Sequence, residues 1–203
     1  MVLSETFPMQ VNDHYERVLL VDTSDRVIGY AGKLDAHRNG SLHRAFSVFG
    51  VDTEGRVLIQ QRALSKYHCG GLWANTCCGH PRPGETVQAG AVRRLNEEFG
   101  LRACLRPLTA TRYCVNVDSG LVEHEIAHIF VCRIDASPQP NPSEIAQYDY
   151  VTWEELLEDV RGQPAKYAPW LHHYLTHLSS ELERALRVCA PEDDQTQGLS
   201  ANK

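Results

Sequence analysis

The stretch from Asn75 to Leu101 places Cys77, Cys78 and His80 in a turn. Glu85, Arg93, Arg94, Glu97 and Glu98 follow in the frame Gly79-x5-Glu85-x7-Arg93-Arg94-Leu95-x-Glu97-Glu98-x-Gly100-Leu101. A thiol can give or take a proton, and an imidazole can ligate a metal. Carboxylates beside arginines can hold a hard cation and a phosphate. The second half reads as a helix, with Thr86 as its N-cap and Gly100 just past its end, where φ > 0 is needed. Val87, Ala91, Leu95 and Phe99 recur every four residues and make one buried stripe. Arg94 and Glu98, also four apart, share a different face, and Glu97 lies about 100° round the helix from Glu98. An isolated Arg-x-x-x-Glu is usually a surface ion pair. The helix nevertheless shows at least one carboxylate and one cation to whatever the preceding loop holds.

Further donors lie outside the stretch. His37, His43 and His80 stand near the ends of expected strands or in loops. Glu123 and Glu125 are two apart, so on a strand both point to the same side while His124 points away. Imidazole nitrogens with carboxylate oxygens suit a divalent cation of the Mn, Zn or Mg type, octahedral if all five bind. His14, His172, His173 and His177 read as surface or hydrogen-bonded residues. Cys77 reads as a packing residue, because neighbours on an extended segment point apart.

The elements that must position these groups follow from local pattern. Strands are expected at 17–22, 27–30, 44–51 and 57–60, the last two as a hairpin through Thr53-Glu-Gly55. Residues 33–41 read as a polar connection, and 62–73 as a loop. Strands at 108–115, within 123–134 and at 148–151 come after the central helix. Ser137-Pro-Gln-Pro-Asn-Pro142 is a loop. Thr152-x-x-Glu155 is a capping box opening a helix through Val160. Pro169 opens a last helix with Leu171, Leu175, Leu178, Leu182 and Leu186 on one stripe. The irregular alternation of strands and helices implies an α/β fold, a mixed β-sheet with α-helices covering its faces. The expected organisation is an irregular arm over 1–15, one domain over 16–190 and a disordered polar tail over 191–203.

Composition sets outer limits. A chain of 203 residues with 42% hydrophobic residues can bury one real core, and its net charge of −6 and lack of a basic stripe argue against nucleic acid as a partner. No apolar run approaches the ~20 residues of a membrane span, and residues 1–10 show no secretory signal. The seven cysteines at 69, 77, 78, 104, 114, 132 and 189 form no C-x-x-C pair, so a reducing, cytoplasmic setting is expected. Cys104, Cys114, Cys132 and Cys189 read as small core or surface residues. Monomer and homodimer are both compatible with the sequence.

Taken together, several segments carry a resemblance. They are Leu42-His-Arg-Ala-Phe-Ser47, Arg62-Ala-Leu-Ser-Lys66, Trp73-Ala-Asn-Thr-Cys-Cys-Gly-His-Pro81, the frame through Gly100, Arg112-Tyr113, Ser119-Gly-Leu-Val-Glu-His-Glu125 and Ala168-Pro-Trp170. In this order, over about residues 16–175, the chain resembles the type I isopentenyl-diphosphate isomerases, which have a Nudix fold. The frame is the Nudix box, with Arg94 in place of its first glutamate, a replacement these isomerases share. Cys-Gly-His-Pro within the box separates them from ordinary Nudix hydrolases. Two places depart from the family: Ala127-His128, where many members have Cys-Pro, and the Tyr67-His-Cys-Gly-Gly71 loop, which commonly carries an aromatic residue and a proline.

The resemblance implies an enzyme that interconverts isopentenyl and dimethylallyl diphosphate, a small-molecule substrate. It implies one divalent metal (Mn²⁺, Zn²⁺ or Mg²⁺) on His37, His43, His80, Glu123 and Glu125, and Mg²⁺ on Glu98 with the substrate diphosphate. Lys33, Arg62, Lys66 and Arg94 match positions that neutralise the diphosphate. Glu125 and Tyr113 match the protonating side and Cys78 the opposing base. Trp170 would face a carbocation with its π cloud. Two other readings stay open: a Nudix pyrophosphohydrolase, and a binding module in which the histidines and glutamates hold a structural metal without turnover.

Overall fold

The computed structural model describes residues 16–190. The arm over 1–15, the tail over 191–203 and His14 lie outside them. The middle of the molecule is β3 (His43–Val51), whose residues are almost all buried. It pairs in parallel with β8 (Val122–Arg133) along its whole length, from His43↔Glu125 to Val51↔Arg133. Its other edge meets β1 (Arg17–Val21) at one end and the short β6 (Cys77–Gly79) further along, both antiparallel. β2 (Val27–Gly32) continues the sheet beyond β1, and β7 (Arg106–Asn116) is antiparallel to β8. β4 (Val57–Arg62) carries β5 (Trp73–Ala74) and β9 (Ile145–Val151).

The expected β3–β4 hairpin is formed at its turn but stops there: the two strands pair antiparallel only at Val51↔Val57. Beyond that pair β3 is taken by β8 and β6, and β4 by β5 and β9. A strand has two edges, and these pairings use them.

Alternation along β3 sends Ala45, Phe49 and Val51 into one core and Phe46 and Val48 into the other. α2 (Val87–Phe99) covers the second with its expected stripe, Ala91, Leu95 and Phe99 being fully buried. Thr86 caps it by accepting from the Ala89 N–H at 3.1 Å, and Gly100 sits at φ 65°. α3 (Trp153–Gly162), α4 (Pro169–His177) and α5 (Ser179–Cys189) cover the first core. The Thr152–Glu155 capping box is formed in both directions. Both faces of the mixed sheet are therefore covered by helices.

The close packing of β3 has a measurable consequence. A Cβ on Gly50 would lie 2.4 Å from Ile134 Cδ1. Gly50→Ala is expected to lower stability by about 1–3 kcal/mol in denaturant unfolding, and an unchanged midpoint would show that Ile134 simply moves aside.

Two element readings change. Residues 33–41 are not an open connection but contain α1 (Lys33–Asn39), closed by Gly40 at φ 60°. Ala36 and His37 are buried on its inner side, and seven residues are too few for a legible apolar period. The last helix is two helices, broken at Leu178 (φ −126°), with Ser179 opening the second. The leucine stripe crosses the break: Leu171, Leu175, Leu182 and Leu186 are buried in one core. His128, one of the departures from the family pattern, ties Asp25 at 2.8 Å, which also accepts from Arg44 Nε at 2.8 Å.

Candidate active site and metal centre

Sheet register builds the centre of the site. His43 of β3 lies opposite Glu125 of β8, and Glu125 lies opposite Tyr113 of β7. One row across three strands thus carries an imidazole, a carboxyl and a phenol on the same face. Ser47 of β3 lies opposite Cys78 of β6, four residues along the same face. Cys77 points the other way and is wholly buried in the second core.

α1 brings His37 in from outside the sheet and the β6 turn brings His80. His37 Nε2 lies 3.1 Å from Glu123 Oε2, and His80 Nε2 lies 2.9 Å from Glu125 Oε1. His43 Nε2 lies 3.2 Å from His80 Nε2 and 3.4 Å from Glu125 Oε1. One donor atom from each of His37, His43, His80, Glu123 and Glu125 falls within 4.8 Å of the others. The far nitrogens show why this set fits a cation. His37 Nδ1 donates to Lys33 O at 2.6 Å and His43 Nδ1 to Ser41 O at 2.8 Å. A carbonyl only accepts, so Nδ1 carries the proton and each neutral ring turns an Nε2 lone pair inward. Lone pairs facing carboxylate oxygens at 3.1–3.4 Å need a cation or a proton between them. His124 is turned away, onto Gly40 O at 3.0 Å.

The electrostatics agree with a crowded acceptor cluster. Burial pushes Glu125 up, and the Glu123 charge adds to it. Burial also pushes Glu123 up, but with a proton rather than a cation between them His37 and His68 outweigh it and hold that carboxyl well below the usual range. Burial drives His80 well below its ordinary value, and His43 reinforces this. Tyr113 is held well above its ordinary value by burial and by Glu125, to which it donates at 2.5 Å. The Cys78 thiol is pushed up to about 12 by burial, with a Ser47 hydrogen bond opposing, and it donates to Asn75 Oδ1 at 3.1 Å.

A cleft opens over this cluster, lined by Cys78, His80, Tyr113, Glu123 and Glu125 at one end and by Lys33, Arg62, Lys66, Arg94 and Glu98 at the other, with Trp170 beside them. Trp170 is 3% exposed and belongs to the first core, so it packs and lines the cleft at once. Arg62 lies over its ring, 5.2 Å from the centroid. Arg62 Nε and Trp170 Nε1 are buried without a partner, two donors unspent at the edge of the cleft. Lys33 Nζ reaches Glu16 at 3.0 Å and Lys66 Nζ reaches Glu144 at 2.8 Å. Arg94 is not a surface ion pair. Its guanidinium is buried among Glu97, Glu98 and Glu144, at 2.9, 2.6 and 2.9 Å.

Several site residues escaped sequence reasoning, His68 and Glu144 among them. His68 Nε2 meets Glu123 Oε1 at 2.9 Å, from inside the Tyr67–Gly71 loop, and that departure was the available signal. Glu144 bridges Lys66 and Arg94, and nothing in its sequence surroundings distinguishes it.

A NUDIX domain model matches residues 41–171. The isopentenyl-diphosphate Delta-isomerase of Burkholderia multivorans is 48% identical over 157 residues, 77% of this chain and 89% of that protein. That of Serratia proteamaculans is 43% identical over 176 residues, 86% of this chain and 98% of that protein. The chain belongs to the isopentenyl-diphosphate Delta-isomerase family, on a NUDIX domain. Among solved structures, DR0079 from Deinococcus radiodurans superposes with TM-score 0.63 at 21% identity, covering 87% of this chain and 100% of that one, and supports the fold. The isomerase-family segments named from sequence, from Leu42–Ser47 to Ala168–Trp170, all border the cleft or the strands beneath it.

Proposed function

We propose that this chain isomerises isopentenyl diphosphate to dimethylallyl diphosphate and back. Family membership supports this, and so does one feature of the site: a half-buried thiol and a buried carboxyl–phenol pair open onto the same cleft. Moving the double bond requires a proton to be added to an unactivated alkene carbon, giving a tertiary carbocation, and another to be removed from the neighbouring carbon. That takes two proton-transfer groups facing one substrate. Glu125, hydrogen-bonded by Tyr113, delivers the first proton. Cys78 is the base that takes the C2 proton, and the roles reverse in the back reaction. Trp170 faces the cation with its ring, an interaction of about 2 kcal/mol when desolvated. Lys33, Arg62, Lys66 and Arg94 supply the positive potential for the diphosphate, and the unspent Arg62 Nε and Trp170 Nε1 donors support an anionic occupant. A divalent cation among His37, His43, His80, Glu123 and Glu125 would acidify the Glu125 proton, and Mg²⁺ on Glu98 would neutralise the diphosphate, with Mg²⁺, Mn²⁺ and Zn²⁺ all suited to the first donor set.

All seven cysteines are free, which supports a reducing cytoplasm, and no helix among the described residues is long and apolar enough to cross a membrane. The function is tested with labelled isopentenyl diphosphate and Mg²⁺, scoring acid-labile allylic product and free phosphate together. Allylic product without phosphate is expected. Phosphate without allylic product would replace the isomerase with a pyrophosphohydrolase, and neither signal in metal-replete protein would favour the binding module.

Exhaustive chelation is expected to abolish turnover, with Mg²⁺ or Mn²⁺ restoring it. The melting temperature should fall in parallel, because a cation held at 100 times its Kd stabilises by about 2.7 kcal/mol. Full activity and an unchanged melting temperature in persistent chelator would remove the metal assignment.

A further inference from the structure

Glu123 stands between two imidazoles whose roles are opposite. His37 Nε2 lies 3.1 Å from Oε2, and His68 Nε2 lies 2.9 Å from Oε1. The centroids of the two rings are 5.5 Å apart. His37 spends its proton on Lys33 O through Nδ1, so it turns a bare Nε2 towards Oε2. Two acceptors facing each other need a cation there. His68 has no partner at Nδ1, and Nε2 is its engaged nitrogen. A carboxylate only accepts, so the His68 proton sits on Nε2 and is donated to Oε1. One oxygen of Glu123 is thereby left for a cation, and the other is already satisfied.

His68 stands outside the donor set it supports: the five atoms within 4.8 Å of one another come from His37, His43, His80, Glu123 and Glu125. Its own position is fixed by the loop that carries it. His68 O accepts from Arg62 Nη2 at 3.2 Å, and the next N–H, of Cys69, donates to Asp118 Oδ1 at 2.8 Å. The Tyr67 ring stands edge-on to the imidazole with centroids 4.4 Å apart, and the Trp170 ring edge-on at 6.0 Å. A Cβ on Gly70 would lie 2.8 Å from Leu64 O, so glycine is what lets the loop double back this tightly behind His68. His68 and Glu123 are each 4% exposed, so bulk water does not compete for Oε1.

This arrangement bears on which cation the centre takes. Ca²⁺ gathers many oxygens at flexible geometry, often both from one carboxylate. Mg²⁺ demands an octahedron of short contacts, and Mn²⁺ accepts one. A Glu123 whose Oε1 is tied to His68 offers Oε2 alone. We propose that His68 holds Glu123 as a one-oxygen ligand and so makes the centre select octahedral cations over Ca²⁺. This role rests on the reading of the five donors as a divalent-cation centre. His68 acts through Glu123 and is a positioning residue. It lies in the Tyr67–Gly71 loop, outside the segments that carry the family resemblance.

His68→Phe keeps a ring in the loop and removes the N–H. Full-length protein stripped of metal is titrated with Mn²⁺ in the absence of diphosphate, free Mn²⁺ being followed by electron paramagnetic resonance, and Ca²⁺ is then added as competitor. The parent is expected to bind Mn²⁺ and to hold it against Ca²⁺. In His68→Phe the Mn²⁺ affinity should fall about 10–100-fold, the usual cost of losing an outer-shell partner, and the preference for Mn²⁺ over Ca²⁺ should narrow as Oε1 is released. His68→Gln, whose amide keeps an N–H donor, should retain most of both. Parent-like Mn²⁺ affinity in His68→Phe would overturn the role. So would an equal loss of Mn²⁺ and Ca²⁺ affinity, which is what a general loosening of the loop gives, and so would a His68→Gln protein as weak as His68→Phe. If His68→Phe does not fold, His68→Met replaces it, matching glutamine in length without the donor; equal Mn²⁺ affinities in His68→Met and His68→Gln would overturn the role. Parent protein that binds no Mn²⁺ would instead remove the metal centre on which His68 acts.

Discussion

Cys78→Ala and Glu125→Gln are each expected to lower turnover by about 10²–10⁴-fold, the range for a lost proton-transfer group. Both variants should stay folded. Cys78 is only partly buried and lies on the edge of the first core, so its removal leaves a small gap beside the cleft. Glutamine keeps the outline of Glu125 and can still accept from Tyr113, but it has no proton to deliver. The neighbouring thiol is the control. Cys77 is wholly buried in the opposite core, so Cys77→Ala should cost about 1 kcal/mol of stability and leave the rate near that of the parent. Steady-state assays with circular dichroism on the same preparations separate the two effects. Near-parent turnover in Cys78→Ala or in Glu125→Gln would sink the two-group mechanism, and an equal loss in Cys77→Ala would put the wrong thiol in the cleft.

Arg94→Met is expected to cost about 3–5 kcal/mol in denaturant unfolding at neutral pH, the range for leaving buried charges without their partner. Three carboxylates, Glu97, Glu98 and Glu144, now share this one buried guanidinium. Without it Glu98 loses its buried cation, while Lys66 remains on Glu144 and Arg93 on Glu97. The pH dependence gives an independent check. Burial pushes the Glu144 carboxyl up, but Arg94 and Lys66 outweigh it and hold it below its ordinary value. In the parent that group therefore adds stability above its unfolded value, and this is lost as pH falls through its folded value. In the variant the charge of Arg94 no longer opposes burial, so the carboxyl rises and gains from protonation. The gap between parent and variant should close as pH drops from 7 towards the carboxylate range. A gap below about 1 kcal/mol at pH 7 would mean that water already screens the cluster, as at an exposed pair.

The sequence alone was enough for the groups whose chemistry depends on local spacing. The cap at Thr86, the stripe Ala91–Leu95–Phe99, the αL residue Gly100 and the Thr152–Glu155 box are all read within one or two turns, because neighbours along a helix are neighbours in space. Strand alternation likewise settled that Glu123 and Glu125 share a side, that His124 does not, and that Cys77 and Cys78 part company. Family motifs then pointed to His37, His43 and His80 from far along the chain.

Only the tertiary structure decided how these pieces meet. The pairing of β3 with β8 in parallel, rather than with β4 in a hairpin, sets His43 against Glu125, and no local pattern encodes a partner some eighty residues away in the chain. His37 reaches Glu123 because α1 folds under the sheet, although residues 33–41 look like a polar loop. The burial of Arg94 depends on Glu144 arriving from the loop before β9, and that of Glu123 on His68 arriving from a loop that departs from the family pattern. Tyr174 accepts from Ser47 and meets the Tyr113 ring edge to face only because α4 brings it into the core beside β7. Charge, capping and periodicity are properties of a segment. Register, burial and the meeting of distant side chains belong to the packed whole, where a buried polar group must find its partner wherever the fold provides one.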